Sequence, residues 1–209
     1  MTENGASRVF LLSPASTSGV RAAQISSPAA GFDCARELRS PEGIPVADAF
    51  AFLSSLYFRG KIAYARRFAA SEDAIRVIAP GFGLVAPSWR LTLERLEVMK
   101  RTRVDLADPA YLAPMAEHAA ALHDELGDGA QVVLLGSIAT GKYVDVLAPA
   151  LAGRLVFPRV FVGAGDMQRG SLMLRAARSG EELVYAPLDE PRHRRRADPG
   201  AAKSLTPPP

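Results

Sequence analysis

The amino-acid sequence predicts an α/β fold: a single Rossmann-like domain whose small, mostly parallel sheet of about five strands is flanked by helices. Three observations carry that prediction. Short apolar runs bounded by turn-forming residues recur along the chain, stretches with apolar residues at helical spacing lie between them, and the turns that follow the runs are rich in Gly, Ser and Thr. Strands that alternate with helices need crossover connections, which build parallel sheets covered on both faces. No repeat at solenoid spacing is present.

Taken in order, Arg8–Ser13 reads as a buried strand closed by the turn-forming run from Ser13 to Gly19. Residues 20–45 carry Gly and Pro punctuation and predict one or two short helices. From Val46 to Ala70 apolar residues fall at helical spacing (Val46, Phe50, Leu53, Tyr57, Ile62, Ala65), with Gly60 marking a break or a close contact between two helices. Ala74–Ala79 is the second strand, and Thr92–Lys100 a further helix. Leu112, Met115, Ala119, Leu122 and Leu126 form one stripe of a helix over about 109–126, stopped by Gly127 and Gly129. Gln131–Gly136 is the clearest buried strand. A helix to about Leu151, a strand Arg154–Phe157, a helix from Asp166 to Arg178 and a last strand Glu182–Ala186 complete the domain at 1–186. Residues 187–209, basic and ending in three prolines, predict a disordered tail.

Composition narrows the function classes. The 209 residues are 48% hydrophobic and 22% charged, an ordinary globular balance. The apolar runs are far too short to cross a membrane, and the N-terminus lacks the pattern of a secretory signal, so a cytoplasmic protein without membrane contact is expected. One cysteine, Cys34, allows neither an internal disulfide nor a cysteine-based zinc cluster. The formal charge of +3 is concentrated at the end: from Pro187 onward five basic residues face three acidic ones, whereas the remainder has 20 against 19. A nearly neutral body is not the electrostatic footprint of a dedicated nucleic-acid binder.

In open parallel sheets ligands bind beyond the carboxyl ends of the strands, near a topological switch point. Ser13, Ser16 and Thr17 follow the first predicted strand, Gly81 and Gly83 the second, and Gly136, Ser137, Thr140, Lys142 and Tyr143 the third. Gly163, Gly165, Asp166 and Arg169 follow the fourth. Such loops bare backbone N–H groups, and the helices they open add positive potential, which together favour an anion; the bland alternative is that turns are always rich in Gly and Ser. Gly136 to Tyr143 matches the phosphate-loop spacing GxxxxGK, but Tyr143 stands where a Ser or Thr would hold magnesium, so an anion nest without nucleotide-dependent phosphoryl transfer is expected. Arg59 and Lys61 form a second cation pair near an aromatic, equally readable as a solvated helix face. Asp145 and Asp166 are candidates for a general base. His118 and His123, five apart on one helix, diverge and do not make a metal pair. No metal and no cofactor is expected.

The segments Phe10-Leu-Leu-Ser-Pro-Ala-Ser-Thr, Leu56-Tyr-Phe-Arg-Gly-Lys-Ile-Ala-Tyr-Ala-Arg, Val77-Ile-Ala-Pro-Gly-Phe-Gly-Leu-Val and Leu134-Leu-Gly-Ser-Ile-Ala-Thr-Gly-Lys-Tyr resemble an uncharacterised bacterial family. More remotely, the chain is similar to the YaaA peroxide-stress proteins and the phage and bacterial domains that share their α/β fold. An opening strand followed by Ser-Pro-Ala and the stretch Gly81-Phe-Gly-Leu-Val-Ala-Pro-Ser-Trp-Arg-Leu carry the resemblance, which covers 8–100 in patches and 131–186 weakly. It implies DNA binding or a link to DNA damage, with nucleobase chemistry among remoter relatives. By position it points to Ser13, Gly81, Gly83 and Arg90; Ser16 stands where that pattern often has lysine.

The leading expectation is a small anionic or phosphate-bearing ligand, of the nucleotide or nucleoside class, at the strand-end rim, with Lys142 and Arg169 supplying charge. One alternative is a DNA-binding stress protein using Arg59, Lys61, Arg66, Arg67 and the segment 90–103. Another is a non-catalytic protein-interaction module, which requires an exposed apolar patch.

Overall fold

The computed structural model describes residues 7–151 and 153–188. The elements in order are β1 (Arg8–Leu12), α1 (Val20–Ser26), α2 (Asp33–Arg39), β2 (Ile44–Pro45), α3 (Val46–Ser54), α4 (Leu56–Phe68), β3 (Ile75–Ala79), β4 (Gly83–Val85), β5 (Arg90–Leu91), α5 (Leu93–Arg101), α6 (Pro109–Glu125), β6 (Gln131–Leu135), α7 (Val144–Leu151), β7 (Leu155–Pro158), α8 (Asp166–Ser179) and β8 (Tyr185–Pro187). Single 3-10 turns precede β3 and follow β7.

Six strands form a mixed, mostly parallel sheet in the order β4-β3-β1-β6-β7-β8. The four inner strands are parallel, with β1 between β3 and β6; the edge strands β4 and β8 run antiparallel to their neighbours. The predicted count of about five falls one short because β4 is three residues long, too brief to show alternation. A separate two-stranded sheet pairs β2 with β5. The last strand ends at Pro187, so this residue closes β8 and does not begin a tail; the predicted tail otherwise lies outside the described residues, except Leu188. Among the described residues, no helix is long and apolar enough to cross a membrane.

Alternation along the strands splits the core into two layers. Phe10, Leu12, Val133 and Leu135 face one cluster with α1 to α5 and α8, whereas Val9, Leu11, Val132 and Leu134 face a second with α6 and α7. A strand apolar on both sides is what a doubly covered sheet demands. From β1 the chain moves outward to β3 and β4, then returns to place β6 on the other side of β1. The loops leaving β1 and β6 therefore diverge, and a crevice opens between them at the carboxyl ends of the strands.

The helix boundary expected at Gly60 lies at Ser55, whose φ of 49° is the only positive value at a non-glycine residue among those described. Gly60 serves the other role the sequence offered, close contact. A Cβ built there would lie 2.7 Å from the Gly170 carbonyl oxygen, and one at Gly170 would lie 2.9 Å from that of Leu56. The two glycines let α4 and α8 touch backbone to backbone, which sets residues 57 and 61 of one helix against 166 and 169 of the other.

That crossing predicts that Gly60→Ala is destabilising although alanine is the better helix former. Overpacking against backbone outweighs propensity, and a loss of about 2 kcal/mol is expected in urea-induced unfolding; an unchanged or raised midpoint would mean that the helices separate freely.

Candidate functional site

At the crevice between β1 and β6 lies a cavity of about 470 Å³. The loop after β1 contributes Ser13 to Ser18, the loop after β6 contributes Ser137, Lys142 and Tyr143, and α8 contributes Asp166. Ser54 and Tyr57 come from the junction of α3 and α4, and Lys100, Thr102 and Arg103 from the end of α5. Among the described residues, the amides of Ser16, Thr17 and Ser137 donate to no backbone carbonyl. Where the two loops leave their strands, before they part, small residues bring them into contact: a Cβ at Gly136 would lie 2.9 Å from the Ser13 Cβ, and the Ser13 amide donates to the Leu135 carbonyl at 3.2 Å.

Behind Ser13 stands Lys61, with no solvent exposure at all. Its Nζ lies 2.9 Å from the Ser13 carbonyl oxygen and 2.6 Å from Ser13 Oγ, and 3.8 Å from the centre of the Tyr57 ring. No carboxylate forms an ion pair with it among the described residues. Burial is the main force on this amine; Asp166 acts against it, and Arg169 and Lys142 add repulsion. Its pKa is lowered from 10.5 to about 7. Lys61 is thus poised between ammonium and free amine near neutrality, a state associated with functional lysines.

The phenols of Tyr57 and Tyr143 are held up by burial above all, so both remain neutral donors at neutral pH. Tyr57 Oη is fully buried and, among the described residues, has no partner at hydrogen-bond distance, its polar neighbours being the side chains of Arg169 and Ser13, although the residue belongs to the cavity wall. A buried hydroxyl without a partner costs about 1–3 kcal/mol.

Several residues singled out in the sequence lie here: Ser13, Ser16, Thr17, Ser137, Lys142, Tyr143 and Asp166 all line the cavity. Lys142 is in no ion pair among the described residues, and its Nζ sits 5.1 Å from the Tyr143 ring centre. Its carbonyl accepts a hydrogen bond from Tyr111 Oη at 2.7 Å, which ties the loop to α6. Lys100 and Arg103 extend the cationic wall, each with an acidic neighbour: Lys100 bonds Glu97 at 2.6 Å, and Arg103 lies 3.7 Å from Asp105.

Other expected residues are elsewhere. Arg169 does not face the ligand space; it is buried, donating to the Phe161 carbonyl at 3.1 and 3.3 Å, with Asp166 at 3.7 Å. Lys61 is not part of a solvated helix face, and its expected partner Arg59 points to solvent. Gly83 opens β4 against α6, where a Cβ would strike His118 Nδ1 and the Pro114 carbonyl. Gly81 takes a φ of +85° behind Thr102, and Gly136 lies beneath Ser13; neither lines the space. Thr140 and Asp145 are exposed and outside it, with the Asp145 carboxylate folded over Gly141. The cations offered for DNA do not share one free face: besides the buried Lys61, Arg66 pairs with Glu72 at 2.8 Å and Arg95 lies over Trp89. Tyr57 was missed, though its spacing of four from Lys61 and eight from Ala65 places all three on one helix stripe.

Because Lys61 binds its proton less tightly in the folded state, the unfolded chain holds more protons between about pH 7 and 10.5. Stability contributed by this residue therefore rises with pH across that window. Relative to Lys61→Met, the wild type should gain about 2 kcal/mol between pH 7 and 9 in denaturant unfolding; parallel pH profiles would show that the lysine is not buried.

No family model matches the chain, and neither does any curated protein or solved structure.

Proposed function

We propose that this protein binds a small anionic ligand, of the phosphate-bearing nucleotide or nucleoside class, in the cavity between β1 and β6. The sheet is read as Rossmann-like in the respect that matters here: its ligand sits at the switch point, beyond the carboxyl ends of the strands. The observation that carries the reading is the wall itself. Ser13, Ser16, Thr17, Ser137 and Lys142, the last in no ion pair among the described residues, share a cavity of about 470 Å³ in which Asp166 is the one acidic residue among the described ones that line it. That volume is in the range of small-molecule sites.

Each part has a role in such binding. Lys142 supplies the point charge that a phosphate or carboxylate seeks. The unengaged amides of Ser16, Thr17 and Ser137 supply donors of fixed direction, as in anion nests. Tyr143 and Tyr57 line the same space and offer aromatic surface to a planar ring. Asp166, exposed at the start of α8, suits a ribose hydroxyl or a base N–H, since a carboxylate only accepts. No metal enters this account, and Lys142 together with the cationic rim carries the charge balance.

A thermal-shift series with nucleoside monophosphates, the corresponding nucleosides and inorganic phosphate tests the reading. Near-saturating ligand should raise the melting temperature by several degrees. Lys142→Ala should weaken binding about tenfold or more, through loss of a charge-assisted contact. A flat response of the wild type to the whole series, or an equal response of the variant, would remove the support for an anion site.

A further inference from the structure

We propose that Ser13 is a nucleophile, with Lys61 as its general base, and that the protein transfers the acyl group of an ester carrying a negative charge. The proposal rests on the anion-site reading, since the same cavity would seat the substrate, and it adds a reaction to it.

The geometry is that of an activated serine. Ser13 is one of the residues that line the cavity, and its Oγ meets Lys61 Nζ at 2.6 Å. Nucleophilic serines require a base within about 2.6–3.2 Å that is itself oriented by a third group. Here the third group is the Ser13 carbonyl: at 2.9 Å it takes one amine hydrogen and turns the lone pair of the neutral amine toward Oγ. Apolar surroundings supply what else a lysine base needs. Phe58 and the Tyr57 ring flank the amine, at 5.7 and 3.8 Å from its Nζ. The charged groups around it are Asp166 and Arg169 on α8 and Lys142 on the loop after β6. The net effect keeps a large share of the amine unprotonated at neutral pH, whereas an exposed lysine would be almost wholly charged.

The step balances with water as the only further reactant. Ser13 Oγ attacks the carbonyl carbon as its proton passes to Lys61 Nζ, and a new C–O bond forms. The amides of Ser16, Thr17 and Ser137, which donate to no backbone carbonyl among the described residues, are the donors available to the oxyanion that develops. When the tetrahedral species collapses, the bond to the departing oxygen breaks and that oxygen takes the proton held on Lys61. Acyl-Ser13 and a neutral lysine remain; water then repeats the sequence in serine's place and releases the acid. Lys142 pairs with the anionic group of the substrate, and the Tyr57 ring, packed on the amine, keeps Lys61 away from solvent.

A small alkyl fluorophosphonate tests the chemistry directly, because attack by serine forms an O–P bond and expels fluoride. Intact-mass and peptide analysis should locate one adduct on Ser13, formed at a rate that climbs with pH and levels off above a midpoint near 7. Ser13→Ala should abolish the adduct, and Lys61→Met should slow it at least a hundredfold; the wild-type pH profile stands as the readout should that variant not fold. An adduct elsewhere, a rate that follows hydroxide without a plateau, or equal labelling of folded Lys61→Met overturns the proposal. No labelling of a wild type that nucleotides still stabilise overturns the dyad and leaves the anion site intact, whereas labelling of Ser13 without any anion response would detach the dyad from that site.

Discussion

A lysine amine sealed inside the protein beneath the end of the central strand is the constraint around which this structure is organised. Leaving an ammonium in such a place without a carboxylate costs several kcal/mol, and the molecule offsets it in three ways. Ser13 presents both its oxygens to the amine, the Tyr57 ring covers its remaining face, and the proton itself is held more weakly than in water. Each arrangement requires α4 to lie tightly against both the end of β1 and α8. The Gly60–Gly170 crossing provides the second approach, and β1's central place in the sheet provides the first.

Electrostatics at the crevice follow from the same packing. Arg169 is turned inward to the Phe161 carbonyl, so its charge acts on Lys61 and Tyr57 from within and leaves the cavity surface to Lys142. Asp166, one turn earlier on α8, gives the opening an acceptor on the side facing the cationic wall. Tyr111 anchors the Lys142 backbone to α6, so the loop that carries the free cation is held by the layer on the far face of the sheet. The proposed binding and proton transfer would thereby share one set of supports, and a change in α4, α6 or α8 would be felt at Ser13.

The inner strands were legible because a doubly covered parallel strand is a short continuous apolar run, and RVFLL, IRVIA and QVVLL are such runs. The switch point, and hence the convergence of Ser13 with Ser137 and Lys142, followed once β1 proved central. What stayed hidden depends on contacts between distant residues. β2, β4 and β5 are two or three residues long and exist only through their partners. Gly60 carries a signal for either a break or an approach, and only the position of Gly170 on another helix decides. Lys61 and Arg169 read in sequence as cations open to a ligand or to solvent because burial is a property of the neighbours; the one local hint was that Lys61 falls on the apolar stripe of α4 between Tyr57 and Ala65.

The central claim is that Lys61 is desolvated and titrates near neutrality. Selective carbon-13 labelling of lysine side chains, with the four lysines of the chain distinguished by substitution, lets the Cε resonance of Lys61 be followed against pH by NMR. The account predicts one lysine with a midpoint near 7 that is lost in Lys61→Met. A midpoint near 10.5 for all of them would contradict it.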